Sequence, residues 1–210
     1  MSWLIIFAAL AAQVPETSGR ELTLDMHERF AYAAMMRTAV IHGYPDRAKR
    51  HAGQLSELLD GTESQSLADI AGEAARAADD RELAVQVARV GEACGACHAS
   101  NRVQPFFASR QPQEPTGESL AARMGRHIWA ADRMWEGLVS HSLASWQAGA
   151  KLLARDPFLM SSSSKVPAER VQEVSDLATE AAAPGSWNKR AEVYGRFLAT
   201  CVGCHEAYSQ

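Results

Sequence analysis

Long hydrophobic runs are scarce in this chain of 210 residues. The stretch from Trp3 to Ala12 covers ten, about half of the roughly 20 that a spanning helix needs, so no stable membrane span is expected. Cationic charge is not in excess either. Lys and Arg number 21 against 25 for Asp and Glu, a formal net charge of -4, which argues against binding to a nucleic-acid backbone. β-Branched residues are sparse and alanine abundant, a balance that favours helix throughout because Ala gives up no side-chain entropy there. No paired acid and base, Ser-His-Asp arrangement or glycine-rich phosphate loop is recognisable, so the chain is not expected to be an enzyme. Hydrophobic residues nevertheless make up 47%, enough for a packed core and well outside the disordered range.

Cysteine is limited to four residues, and all four fall in one pattern. Cys94-Gly95-Ala96-Cys97-His98 and Cys201-Val202-Gly203-Cys204-His205 are both C-x-x-C-H pentapeptides. Two thiols three residues apart can add across the two vinyl groups of one haem while the adjoining histidine offers its imidazole to the iron. The expectation is two covalently attached haem c groups, held by Cys94, Cys97, Cys201 and Cys204, with His98 and His205 as iron ligands. A four-thiolate zinc site leaves both histidines unexplained. A thioredoxin-like motif wants a strand before it and a helix after it, the reverse of the pattern here. Two short-loop disulfides suit an oxidising compartment but also ignore the histidines.

The pentapeptides lie about half a chain apart, which indicates a duplication. Met26 to Ile41 aligns with Met124 to Val139 at an offset of 98, bringing Met36 onto Met134; at 99, Met35 meets Met134 and His42 meets His141. Four helices are predicted in each half: 24–42, 46–60, 64–78 and 81–98, then 118–142, 144–155, 168–183 and 187–207. Leu83, Val87, Val90 and Cys94 recur at helical spacing, as do Arg190, Tyr194, Phe197 and Cys201. Residues 156–167 read as an inserted loop, with two prolines around four serines. The fold class expected is therefore all-α, two tandem four-helix bundles with haem attached on the last helix of each. The boundaries are a secretory signal over 1–19, a first bundle over 20–111, a linker over 112–117 and a second bundle over 118–210. The signal rests on the apolar run and an A-x-A pattern at Ala9 and Ala11, although no basic residue precedes the run. It implies export to the periplasm. Phe106-Phe107, just before the linker, is expected to dock on one bundle.

With the motif on the last helix and an aromatic close behind it in C-V-G-C-H-E-A-Y, each half resembles the class II c-type cytochromes, the cytochrome c-prime family and its low-spin relatives. The resemblance implies a four-helix bundle with a distal residue on the first helix, which makes Met36 and Met134 candidate iron ligands, Met35 being the alternative at the other register. His127 competes for the same iron. Family members often carry a basic residue soon after the haem-binding histidine; Arg102 can serve in the first half, but Ser209-Gln210 offers nothing similar in the second. His42 and His141 are expected to cap helix ends or meet solvent, and His27 and His51 to lie on the surface. Trp129, Trp135, Trp146 and Trp187 are expected to fill the core of the second bundle around the porphyrin.

Two haems with no further catalytic constellation imply electron transfer between redox partner proteins, the protein's share being to exclude water and fix the axial ligands. The mild negative charge suits a partner with a basic face. The alternative is a five-coordinate haem open to a small gas ligand such as NO or CO. A di-haem peroxidase is the weaker third reading, because it requires a distal acid or base that only His127 could supply.

Overall fold

A computed structural model describes residues 16–107, 113–155 and 168–209. Within them the chain forms eight helices and no strand: α1 (Glu16–Ile41), α2 (Pro45–Leu59), α3 (Gln65–Ala75), α4 (Asp80–Ser100), α5 (Leu120–Ser140), α6 (Leu143–Arg155), α7 (Ala168–Ala182) and α8 (Trp187–Ser209). The signal and insertion readings fall largely or wholly on residues 1–15 and 156–167, outside the described ones. No helix among the described residues is long and apolar enough to cross a membrane.

Local chemistry accounts for the boundaries. Proline stands at the first position of α2, where its missing N–H costs nothing. The Asp79 side chain accepts from the Glu82 N–H at 2.7 Å, and Glu82 Oε2 accepts from the Ala78 N–H at 2.6 Å, tying the start of α4 from both sides. Ser119 caps α5 by accepting from the Ala122 N–H at 3.1 Å. The two halves then turn in matching ways. His141 ends α5 in the left-handed region at φ 49°, and Gly43 takes φ +70° between α1 and α2.

Successive helices pack on one another within each half, as short connections require. The halves are not separate bodies. α4 packs against both α5 and α8, and α1 packs against α8, so one continuous core contains Met36, Leu55 and Leu83 together with Met134, Leu138, Tyr194 and Phe197. The segment 112–117 divides the sequence repeat without dividing this core. Small residues let the central helices approach: a β-carbon at Gly195 of α8 would stand 2.6 Å from the Val85 Cα of α4.

A polar network ties the same junction. Arg37 of α1, 7% exposed, pairs with Asp132 of α5 at 2.8 Å and donates from Nε to the Tyr194 hydroxyl of α8 at 2.6 Å. Tyr194 in turn donates to the Ala131 carbonyl at 3.0 Å. Burial works against the Arg37 charge, but Tyr194 and Asp132 overcome it and hold the guanidinium protonated. Burial likewise raises the Tyr194 hydroxyl, which keeps it a donor. Of the linker aromatics, Phe107 packs on Phe30 with ring centroids 5.6 Å apart, whereas Phe106 is 90% exposed.

Candidate functional site

Both pentapeptides lie wholly on helices, in the C-terminal parts of α4 and α8. Positions i, i+3 and i+4 share one face of a helix, so each pair of thiols and its histidine are presented together. The four cysteines are free thiols. Burial is the main cause that pushes Cys94 and Cys201 up to about 12, with the neighbouring Cys97 and Cys204 adding to it. Among the described residues, no three His, Cys, Asp or Glu side chains converge as a single ion would require.

The second motif borders a cavity of about 760 Å³, within the range of cofactor pockets. Cys201, Cys204 and His205 line one wall; Met124, His127, Ile128 and Ala131 of α5 line another; Val171 and Val174 of α7 and Phe197 of α8 close it. The remaining edge comes from the other half of the chain, as the turn Ile41, His42, Gly43 and Tyr44. The His42 and His205 rings stand 6.2 Å apart at 20°.

The first motif is approached by the corresponding turn of the second half. His98 Nδ1 bonds the Val139 carbonyl at 2.8 Å, and Gly95 lies against the Leu138 carbonyl and the His141 ring. His141 stacks on Trp187 at 4.5 Å and 7°. Its Nε2 is 3.6 Å from Glu92 Oε1, and burial, partly offset by Glu92, holds its pKa below the usual histidine value. Arg29 lies close enough to Cys94 to offset in part the rise that burial imposes on its thiol.

Several expected placements differ. Met134 is fully buried but does not line the cavity, because Gly149 of α6 receives it on another face of α5; Met124 and His127 face the cavity instead. Met36 is fully buried in the shared core, and Met35 is 39% exposed. None of the four tryptophans lines this cavity. Trp135 and Trp146 do fill the core, as expected, whereas Trp129 lies under the Arg133 guanidinium at 5.6 Å and Trp187 stacks on His141. His27 is exposed, while His51 is half-buried beside Tyr32 and Gln54. His141 does cap α5, yet it and His42 also contact the opposite motif.

Sequence reasoning missed Arg170. Its guanidinium would lie 3.2 Å from a β-carbon at Gly203, and it lowers the Cys204 thiol against the effect of burial. It places a basic group beside the second motif. No sequence signal marked it, since it sits beyond the serine-rich insertion and pairs with Glu173 at i+3 like any surface arginine. No family model matches the chain, and comparison with curated proteins and with solved structures finds no match to it.

Proposed function

We propose that the chain is an exported, periplasmic di-haem c-type cytochrome that carries electrons between redox partner proteins. The observation that carries this reading is a repeated one: two C-x-x-C-H motifs on helix faces, the second of them on the wall of an apolar cavity large enough for a porphyrin. Cys94 and Cys97, and Cys201 and Cys204, would hold the two groups through thioether bonds, with His98 and His205 offering their imidazoles to the iron. When bound, haem supplies a one-electron couple. The chain would supply the rest. Val171, Val174, Phe197 and Ile128 would keep water from the group in the second cavity, and Arg170 would offer a cation to a haem carboxylate. In this reading each sequence repeat is a cytochrome c-prime-like four-helix unit, and the two units share a core.

The position of Met134 favours a second reading for one site. With that thioether turned toward α6, the cavity side chains left to act as a soft or imidazole ligand are Met124 and His127 on the α5 wall and His42 at its edge. If none of them ligates, the second iron would be open to NO or CO. Absorption and EPR spectra of both oxidation states, with and without CO, test both readings. Two low-spin haems inert to CO support electron transfer alone; a high-spin ferrous band that shifts with CO supports an open site; absence of any haem band refutes both.

A further inference from the structure

The turn after α5 and the turn after α1 each reach the pentapeptide of the opposite half. At the first motif, the contact falls on Gly95, between the two cysteines. A β-carbon there would overlap the Leu138 carbonyl oxygen and the His141 ring, so only glycine lets the turn come this close. One residue further along α5, the Val139 carbonyl stands 2.8 Å from His98 Nδ1. A carbonyl oxygen only accepts, so Nδ1 carries the proton and donates it. The lone pair of the neutral imidazole is then on Nε2, the nitrogen left for a metal. His141 anchors the turn by stacking on Trp187 at the start of α8.

The second motif shows the reciprocal contact. A β-carbon at Gly43 would stand 3.5 Å from the His205 Cβ, and the His42 ring is 6.2 Å from the His205 ring. The turn that carries His42 and Gly43 thus lies against the start of the His205 side chain, as the end of α5 lies against Gly95. His42 and His141 correspond in the sequence repeat.

We propose that the C-terminal end of α5, with its His141 cap, is a positioning element for the haem site of the other half: the Val139 carbonyl, held in place by His141 on Trp187, fixes His98 as the Nδ1–H tautomer and leaves its Nε2 for the iron. The proposal rests on the di-haem reading above. Outer-shell acceptors of this kind fix the ring orientation and make the imidazole a stronger donor to the metal. A stronger donor stabilises the ferric state and lowers the potential, so loosening the turn raises the potential of one haem and leaves the other unchanged.

The test uses the full haem-loaded chain labelled with 15N-histidine, in wild type, His141→Ala, His141→Phe and Gly95→Ala. A pyridine haemochrome count comes first, followed by a redox titration resolving both haems and by exchange of the His98 Nδ1–H in the ferrous protein. The expected result is slow exchange in wild type and in His141→Phe, which keeps a ring on Trp187. In His141→Ala exchange should be at least tenfold faster, with one potential raised and the second unmoved. Gly95→Ala should act in the same direction; if it fails to fold, the alanine and phenylalanine variants at 141 carry the comparison. Two haems per chain with unchanged exchange and potentials in His141→Ala would overturn the positioning role alone, as would equal shifts of both potentials. A count of zero haems would overturn the underlying reading instead.

Discussion

Arg37 and Asp132 sit on opposite halves of the sequence, so their pairing measures how far the halves share one folded unit. The two partners are unequally buried: the Arg37 side chain is 9% exposed and that of Asp132 37%. Removing the carboxylate by Asp132→Ala leaves a guanidinium in the core with Tyr194 as its remaining hydrogen-bond partner, and one nitrogen, Nη2, already lacks one. A stranded partner of a fully buried pair costs 3–5 kcal/mol; access of water through the Asp132 side reduces this to about 2 kcal/mol. Arg37→Met, by contrast, leaves Asp132 to solvent, and Tyr194 still donates to Ala131. Its cost is the Tyr194 hydrogen bond and a half-exposed ion pair, offset by removal of a buried charge, about 1 kcal/mol in all. The double variant should lie near the Arg37→Met value and well short of the sum of about 3 kcal/mol. Urea unfolding followed by far-ultraviolet circular dichroism would measure this, with a single transition in every variant. Strict additivity, an Asp132→Ala cost below about 0.5 kcal/mol, or two separated transitions would refute the shared, ion-paired junction.

The close crossing of α4 and α8 predicts that Gly195→Ala destabilises by about 2 kcal/mol, because the neighbouring atom is the Val85 backbone and cannot swing aside; an unchanged urea midpoint would contradict this. Met134→Leu should leave the absorption and EPR spectra of the haem-loaded protein unaltered, whereas His127→Ala, on the cavity wall, should change the spectrum or the CO affinity of one haem. Glu180 accepts from Lys189 at 2.9 Å and Arg196 at 2.7 Å, and the Lys189 bond holds its pKa below the ordinary 4.5. A carboxylate with a depressed pKa stabilises the fold above its unfolded value and loses that contribution as pH falls through its folded one. NMR titration should therefore find Glu180 below the usual range and Lys189→Ala should bring it back toward it, a difference that shrinks in high salt.

The helices were legible because their signals are local. Leu83, Val87 and Val90, spaced at helical intervals, are all buried, and Pro45, Asp79 and Ser119 mark starts that depend only on adjacent residues. The motif residues were equally legible, since C-x-x-C-H states its own chemistry. The packing of one half against the other was not. A repeat with a proline-rich joint reads as two bodies, and nothing in a one-dimensional pattern tells whether the small residues Ala84, Gly91, Gly95 and Gly195 face a partner helix. The distal side chain was not legible for a related reason: Met124, His127 and Met134 follow one another at helical spacing on α5, and only packing against α6 at Gly149 sets the buried Met134 apart from the two on the cavity wall. His42 and His141 were found by the repeat, but their contact across the halves depends on the crossing of α4 and α8.

The central claim is that four cysteines hold two porphyrins. Intact mass of the denatured mature protein, paired with the pyridine haemochrome spectrum, measures this most directly. The account predicts a mass greater than the polypeptide by two haems and a spectrum of the two-thioether type at two per chain. A colourless protein with the mass of its amino acids alone would contradict it.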